Sequence, residues 1–87
     1  MGGAAEAGTN LTNSQVRAIS SFEKQIATHV EKLEAYKLDP WKFDNLGHLK
    51  NAPNDAVRQK IIQTRINHIE KEIQTFQNNI QKILNSQ

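Results

Sequence analysis

The C-terminal half of the chain carries one regular stripe of apolar residues. Its members are Ile62, Ile66, Ile69, Ile73, Phe76, Ile80 and Ile83. Steps of four and three residues alternate along the stripe, which is the spacing of one buried face of an α-helix. Asn51 or Asn54 can cap such a helix. Pro53 and Asp55 suit its first turn. The pattern therefore predicts a helix from Asp55 to Leu84, about 45 Å long at about 1.5 Å per residue.

A second helical pattern precedes this one. Its apolar positions are Ile19, Phe22, Ile26, Leu33 and Tyr36, with Val16 and Val30 flanking them. Good N-cap residues cluster at positions 12–14, where we expect the helix to begin. Pro40 disfavours helical geometry at the residue before it, so the helix should end near Lys37. His29 falls in the same apolar seam, three residues after Ile26, and its imidazole is expected to point inward.

Residues 38–53 connect the two predicted helices and form a longer linker than helix pairs usually need. A short helical turn is expected at residues 41–45. Four apolar side chains are expected to anchor this connector on the helices, namely Trp41, Phe43, Leu46 and Leu49. We expect Trp41 to serve packing rather than base stacking, because the chain has few large residues to spare.

The predicted fold is all-α. A helix as long as the last one does not fit a compact ball of this size, so we expect a long antiparallel helical hairpin with a folded connector. This is a small helical bundle with a shallow core and an open groove. Residues 1–12 are small and polar and are expected to form a flexible leader. Residues 13–87 then form the single helical domain, since 87 residues are too few for two.

Composition excludes several classes of protein. The chain has no cysteine, so a disulfide framework, a thiolate zinc site and a cysteine nucleophile are ruled out. No apolar run approaches the about 18 residues that a membrane span needs, so we expect no membrane binding by this domain. Gly47 is the only glycine after residue 8, which excludes P-loop and Gly-rich dinucleotide sites. The formal net charge is only +2, but residues 42–71 hold six basic and three acidic side chains, a local excess that fits phosphate contact or an ordinary solvated face.

Polar residues line one flank of the last predicted helix. Arg58, Arg65 and Glu72 follow one another at intervals of seven residues beside the apolar stripe, and His68 lies just outside them. One interpretation is an ion-pair ladder, in which Arg58 or Arg65 pairs with Asp55 or Glu72 and His68 is solvated. The other is a reactive strip beside the groove.

The second interpretation needs other segments to meet His68. The inward His29 comes from the facing helix, and Asp44, His48 and Lys50 come from the connector. RNA cleavage without a metal requires a base for the 2′-hydroxyl, an acid for the leaving 5′-oxygen and cations for the charge on phosphorus. Histidines with lysine and arginine provide these groups. A zinc site is disfavoured, because the three histidines have no ligand spacing on one element.

Three stretches of the chain resemble a known family. They are residues 43–53 (Phe-Asp-Asn-Leu-Gly-His-Leu-Lys-Asn-Ala-Pro), 58–62 (Arg-Gln-Lys-Ile-Ile) and 65–73 (Arg-Ile-Asn-His-Ile-Glu-Lys-Glu-Ile). Upstream, residues 29–33 (His-Val-Glu-Lys-Leu) with Tyr36 and Pro40 are similar to the first helix of the same family. Together these stretches resemble the all-helical C-terminal toxin domains of bacterial contact-dependent inhibition and other polymorphic toxin systems. The resemblance covers about residues 20–84.

The resemblance implies a ribonuclease toxin domain that cleaves tRNA, near its acceptor end, in the cytoplasm of a target bacterium. It also implies export as the tip of a large surface toxin, a cognate immunity protein and possible cooperation with elongation factor Tu. No metal cofactor is expected, because histidines with lysine and arginine can supply the acid, the base and the cations. The expected catalytic residues are His68, His29, Arg65 and Asp44. The expected RNA-binding residues are Lys50, Arg58, Lys60 and Lys71. His48 departs from the family pattern, in which a bulky apolar residue is usual there. From the basic groove, the immunity protein is expected to be acidic.

The alternative is a non-enzymatic helical interaction module whose apolar stripe docks on a partner helix. The two hypotheses differ over His68, which only the nuclease requires.

Overall fold

The computed structural model describes residues 11–86. Two long helices account for most of this range: α1 at Asn13–Leu38 and α2 at Asp55–Asn85, with a 3₁₀ helix at Pro40–Phe43 between them. No β-strand occurs within residues 11–86. The all-α prediction is therefore confirmed. Most of the leader predicted at residues 1–12 lies outside the described residues.

Both helices begin at side-chain caps that the sequence indicates. At α1, the Gln15 amide donates to Thr12 Oγ1 at 3.1 Å, and the Thr12 amide donates back to Gln15 Oε1 at 2.9 Å. This reciprocal capping box satisfies two backbone donors at once. At α2, Asn54 rather than Asn51 is the cap, and its Oδ1 accepts from the Val57 amide at 2.9 Å. Helix α1 ends at Leu38, two residues before Pro40 and one later than predicted.

The helices pack against each other as an antiparallel hairpin. Contacts that pair early α1 with late α2 show the direction, since Phe22 meets Phe76 at 6.1 Å between ring centroids while Arg65 lies against Tyr36. The molecule measures 55 × 19 × 18 Å. Within residues 11–86 the buried apolar side chains are few: Leu33, Tyr36, Leu49 and Ile69, of which only Leu49 and Ile69 are fully buried. The rest of the seam is half-buried, which confirms the predicted shallow core. No helix within residues 11–86 is long and apolar enough to cross a membrane.

The connector is folded by hydrogen bonds to one carboxylate. Asp44 Oδ1 accepts from the Leu49 amide at 2.9 Å, and Oδ2 accepts from the Lys50 amide at 3.0 Å. Gly47 sits inside this loop with φ of 73°, a conformation that L side chains rarely adopt. Its carbonyl accepts from the Asn51 amide at 2.9 Å. The short helical turn predicted at residues 41–45 forms one residue earlier, because Pro40 is well suited to its first position.

The predicted apolar anchors of the connector behave differently from one another. Leu49 is buried, and Phe43 is half-buried against the Tyr36 ring at 6.2 Å. Leu46, however, is 79% exposed, so its predicted anchoring is wrong. It precedes Gly47 in a tight turn closed by the Asp44 carbonyl, and most of its side chain stays in solvent. Trp41 is 50% exposed and is covered on one face by a guanidinium rather than by the core.

Candidate functional site

A pocket of about 400 Å³ opens where the connector folds over the adjoining ends of α1 and α2. Its apolar wall consists of Pro40, Phe43, Leu46, Leu49 and Ile61. Its polar lining consists of Tyr36, Asp44, Asn45, His48, Thr64, Arg65 and His68. All three segments of the hairpin therefore contribute polar groups to one concave surface, but His29 and Lys50, which the sequence interpretation placed beside His68, do not line it.

Arg65 is the strongest positive charge in the pocket. Its guanidinium carbon lies 5.5 Å from the centroid of the Tyr36 ring, a cation–π arrangement that fixes the side chain across the hairpin. Within residues 11–86, Arg65 makes no ion pair. The ion pair of the ladder interpretation forms between Arg58 and Asp55 and not at Arg65. Arg65 keeps its charge and its donors available to a ligand.

Tyr36 offers a hydroxyl beside that charge. Burial raises the pKa of Tyr36, and the nearby Asp44 carboxylate adds to the rise, whereas Arg65 opposes it. The phenol consequently stays protonated at neutral pH and serves as a hydrogen-bond donor. Sequence reasoning placed Tyr36 in the core and did not identify it as a pocket residue. The sequence feature that could have identified Tyr36 as a pocket residue is its position near the end of α1, next to the long connector.

Asp44 was predicted to be catalytic, and the structure places it at the pocket with both oxygens engaged. The Leu49 amide, and then the Lys50 amide, lower the pKa of Asp44, and the charge of His48 acts in the same direction. Partial burial opposes this change. The carboxylate is therefore ionised at neutral pH and fixed by the backbone. This geometry suits a residue that holds the connector in shape rather than one that transfers protons.

His29 and His68 meet at the same carboxylate but not in the same pocket. His29 Nε2 lies 3.6 Å from Glu72 Oε1, and His68 Nε2 lies 3.8 Å from Glu72 Oε2. The His29 Nδ1 is 2.8 Å from the Gln25 carbonyl, which can only accept, so Nδ1 carries a proton. With a side chain only 13% exposed and an edge-on contact to Phe76, His29 points inward as predicted.

His29 does not line the pocket, whereas His68 and His48 do. The sequence interpretation gave His48 little weight. The turn at Gly47 brings it to the pocket, where it can act together with His68, whose side chain is 70% exposed. The histidine pair available to one ligand is thus His48 with His68, not His29 with His68.

The four predicted RNA-binding residues all lie outside the pocket. Arg58 is engaged in structural contacts: its Nε donates to the Leu49 carbonyl at 3.2 Å, and its guanidinium lies 5.3 Å from the Trp41 ring centroid. Lys50 is exposed on the connector, while Lys60 and Lys71 are exposed on α2. The lysines are thus free to contact a large ligand around the pocket.

Within residues 11–86, no group of three or more histidine or carboxylate side chains is arranged to hold a metal ion. The pocket instead presents hydrogen-bond donors and imidazoles around an apolar wall. Comparison with protein families, with curated proteins and with solved structures finds no match to this chain. Its function is therefore inferred from the chemistry of the site.

Proposed function

We propose that this chain is a ribonuclease domain that cleaves RNA at the connector pocket without a metal ion. One observation carries the proposal: two histidines, His48 and His68, line a single pocket together with the guanidinium of Arg65 and the hydroxyl of Tyr36. These groups come from three segments of the chain. They are the groups that cleavage of an RNA phosphodiester by its own 2′-hydroxyl requires.

The two imidazoles supply the proton transfers. One imidazole in its neutral form accepts the 2′-hydroxyl proton as that oxygen attacks phosphorus. The other, protonated, donates a proton to the leaving 5′-oxygen as the P–O5′ bond breaks. The products are a 2′,3′-cyclic phosphate and a free 5′-hydroxyl, so no water or metal-bound hydroxide is needed in this step. His48 and His68 lie on different elements, which allows them to approach the scissile phosphate from different sides.

Arg65 and Tyr36 stabilise the charge that develops on phosphorus. The guanidinium supplies a positive charge and several N–H donors. Because burial raises the pKa of Tyr36, its hydroxyl can donate to a phosphate oxygen. Both side chains are held against each other before substrate binds. Such preorganised donors are worth most where water is partly excluded, as along the apolar wall of this pocket.

The resemblance to toxin domains extends the proposal to a biological setting. In that setting the substrate is tRNA, cut near its acceptor end inside a target bacterium after delivery at the tip of a large surface toxin. A cognate immunity protein with an acidic surface would cover the basic pocket, and elongation factor Tu would act as a protein cofactor. The pocket itself supports only the RNA-cleavage part of this description.

Total bacterial RNA incubated with the purified chain in EDTA tests the proposal. We expect discrete tRNA fragments that end in 2′,3′-cyclic phosphate, either with the chain alone or after addition of elongation factor Tu. The matched control is His68→Ala, which should leave helicity by circular dichroism unchanged and remove the fragments. Intact RNA under both conditions, or cleavage that EDTA abolishes and Mg²⁺ restores, contradicts the proposal.

A second candidate is the non-enzymatic interaction module, and one observation favours it. Leu38, Trp41 and Leu46 are large apolar residues exposed in or beside the connector. Exposed apolar side chains grouped in one region often mark a protein contact. A module of this kind would lose partner binding on Leu38→Ser and keep it on His68→Ala, whereas the nuclease would show the opposite dependence for RNA cleavage.

A further inference from the structure

Helix α2 contains an internal repeat of eleven residues on its exposed side. Residues 63–73 read Gln-Thr-Arg-Ile-Asn-His-Ile-Glu-Lys-Glu-Ile, and residues 74–84 read Gln-Thr-Phe-Gln-Asn-Asn-Ile-Gln-Lys-Ile-Leu. The matching polar pairs are Gln63 with Gln74, Thr64 with Thr75, Asn67 with Asn78 and Lys71 with Lys82. All of these residues are exposed. The apolar seam repeats every seven residues, so packing against α1 does not require a polar period of eleven.

An eleven-residue step keeps the repeated residues on one line. It turns an α-helix about 20° beyond three full turns and advances it by about 16.5 Å. Lys60 stands one step before Lys71, so Lys60, Lys71 and Lys82 form a row about 33 Å long. We call this row, with the repeated hydroxyl and amide residues between its members, the lysine stripe. The acidic neighbours Glu70 and Glu72 point about 100° to either side of Lys71, so no carboxylate lies in the row of lysines, although Glu70 borders Asn67 and Gln74 at one edge of the stripe.

The repeat is present in the hydrogen bonds of the structure as well as in the sequence. In both copies the glutamine amide donates to the asparagine four residues later: Gln63 to Asn67 at 2.8 Å, and Gln74 to Asn78 at 2.9 Å. Each asparagine oxygen is thereby occupied, and its amino group remains available to donate outward. The stripe thus offers cations, hydroxyls and amide donors. Its members include no aromatic or apolar side chain.

We propose that the lysine stripe binds the phosphate backbone of duplex RNA. Lysine, threonine and asparagine side chains are typical donors to phosphate oxygens. Proteins that hold single strands add aromatic side chains on which bases stack, and the stripe has none. A straight, evenly spaced row of charges suits a regular, stiff polymer. Thr64 belongs both to the stripe and to the pocket lining, so a strand held on the stripe reaches His68. Only the identity of the duplex as RNA rests on the proposed function.

Binding is measured by fluorescence anisotropy between 50 and 200 mM KCl, in a His68→Ala background so that cleavage does not interfere. The probes are a 24-base-pair RNA duplex and one of its strands, both of mixed sequence. The stripe variant is Lys60→Gln, Lys71→Gln and Lys82→Gln combined. Its matched control changes Lys24, Lys32 and Lys37 to Gln, which removes the same charge from exposed positions on α1.

We expect the duplex to bind more tightly than the single strand. The stripe variant should reduce the slope of log K against log salt by about two to three units, and the α1 control by less than about one. Equal losses in the two variants would assign binding to net charge alone and overturn the proposal. An unchanged slope in the stripe variant, or a preference for the single strand, would also overturn it.

A different substrate distinguishes cleavage in the pocket from duplex binding by the lysine stripe. A six-nucleotide single strand is too short to follow the stripe, so its cleavage reports on the pocket alone. The α1 control, with His68 restored, should cleave it at the wild-type rate. If no RNA is cleaved while the stripe variant still loses duplex binding, the ribonuclease proposal fails and the stripe proposal stands.

Discussion

Replacing Arg58 by alanine tests whether this residue holds the connector or contacts RNA. Its Nε donates to the Leu49 carbonyl at 3.2 Å, a terminal nitrogen donates to Asp55 Oδ1 at 3.2 Å, and its guanidinium lies 5.3 Å from the Trp41 ring centroid. A hydrogen bond from a charged donor contributes about 1.5–3 kcal/mol, and the length of this one favours the lower end. The cation–π contact adds about 0.5–1 kcal/mol, and the exposed ion pair less than about 1 kcal/mol.

The sum predicts that Arg58→Ala lowers the free energy of unfolding by about 2–3 kcal/mol. For a domain of this size the melting temperature should fall by about 10–20 °C. Circular dichroism measures the melting of the helices, and the emission of Trp41, the only tryptophan, measures the release of the connector. Arg17→Ala is the matched control, since it removes an exposed arginine from α1 without known partners in the described part of the chain. Equal melting temperatures for Arg58→Ala and wild type, with weakened RNA binding, would refute the structural role.

Three further changes probe the connector and the hydrophobic core. Gly47→Ala places a Cβ at a φ of 73°, 3.1 Å from Asn51 Nδ2. It should lower the free energy of unfolding, measured by urea denaturation, by about 1–2 kcal/mol, and Gly47→Asn should lower it by less. Because the pKa of Asp44 is lowered in the folded chain, its contribution to stability is present above the ordinary carboxyl range and is lost as pH falls through that range and below it. The melting temperatures of wild type and Asp44→Ala should therefore converge in acid, and a constant difference would contradict this. Ile69→Ala leaves a cavity at a fully buried position and should lower the free energy of unfolding by about 2–5 kcal/mol. Gln77→Ala, at an exposed position, should lower it by less than about 0.5 kcal/mol.

The helices were predictable because periodicity and caps act locally. The bounds of both helices fall within one residue of the predicted ends at Lys37 and Leu84, and the seam identified His29 as inward-facing. These results follow from the regular geometry of a helix, in which spacing along the chain fixes which residues share a face.

The connector was not predictable in the same way, because its shape depends on a few specific contacts. The two amides held by Asp44 and the positive φ of Gly47 decide that Leu46 points to solvent and that His48 reaches the pocket. Neither contact has a periodic signal in the sequence. The contacts of Arg58 were not predictable for a related reason: its position on α2 predicts a basic edge, but its partner is a connector carbonyl whose place is set by that fold.

Cleavage rates of three single histidine variants test the central claim most directly, which is that the pocket is the site of RNA cleavage. A short fluorogenic RNA is incubated in EDTA with His48→Gln, His68→Gln and His29→Gln, each below its own melting temperature. We expect a loss of at least about 100-fold for His48→Gln and for His68→Gln, because each change removes a general acid or base. His29→Gln, which lies outside the pocket, should keep most of the wild-type rate. Wild-type cleavage by His48→Gln, or an equal loss in folded His29→Gln, would contradict this claim.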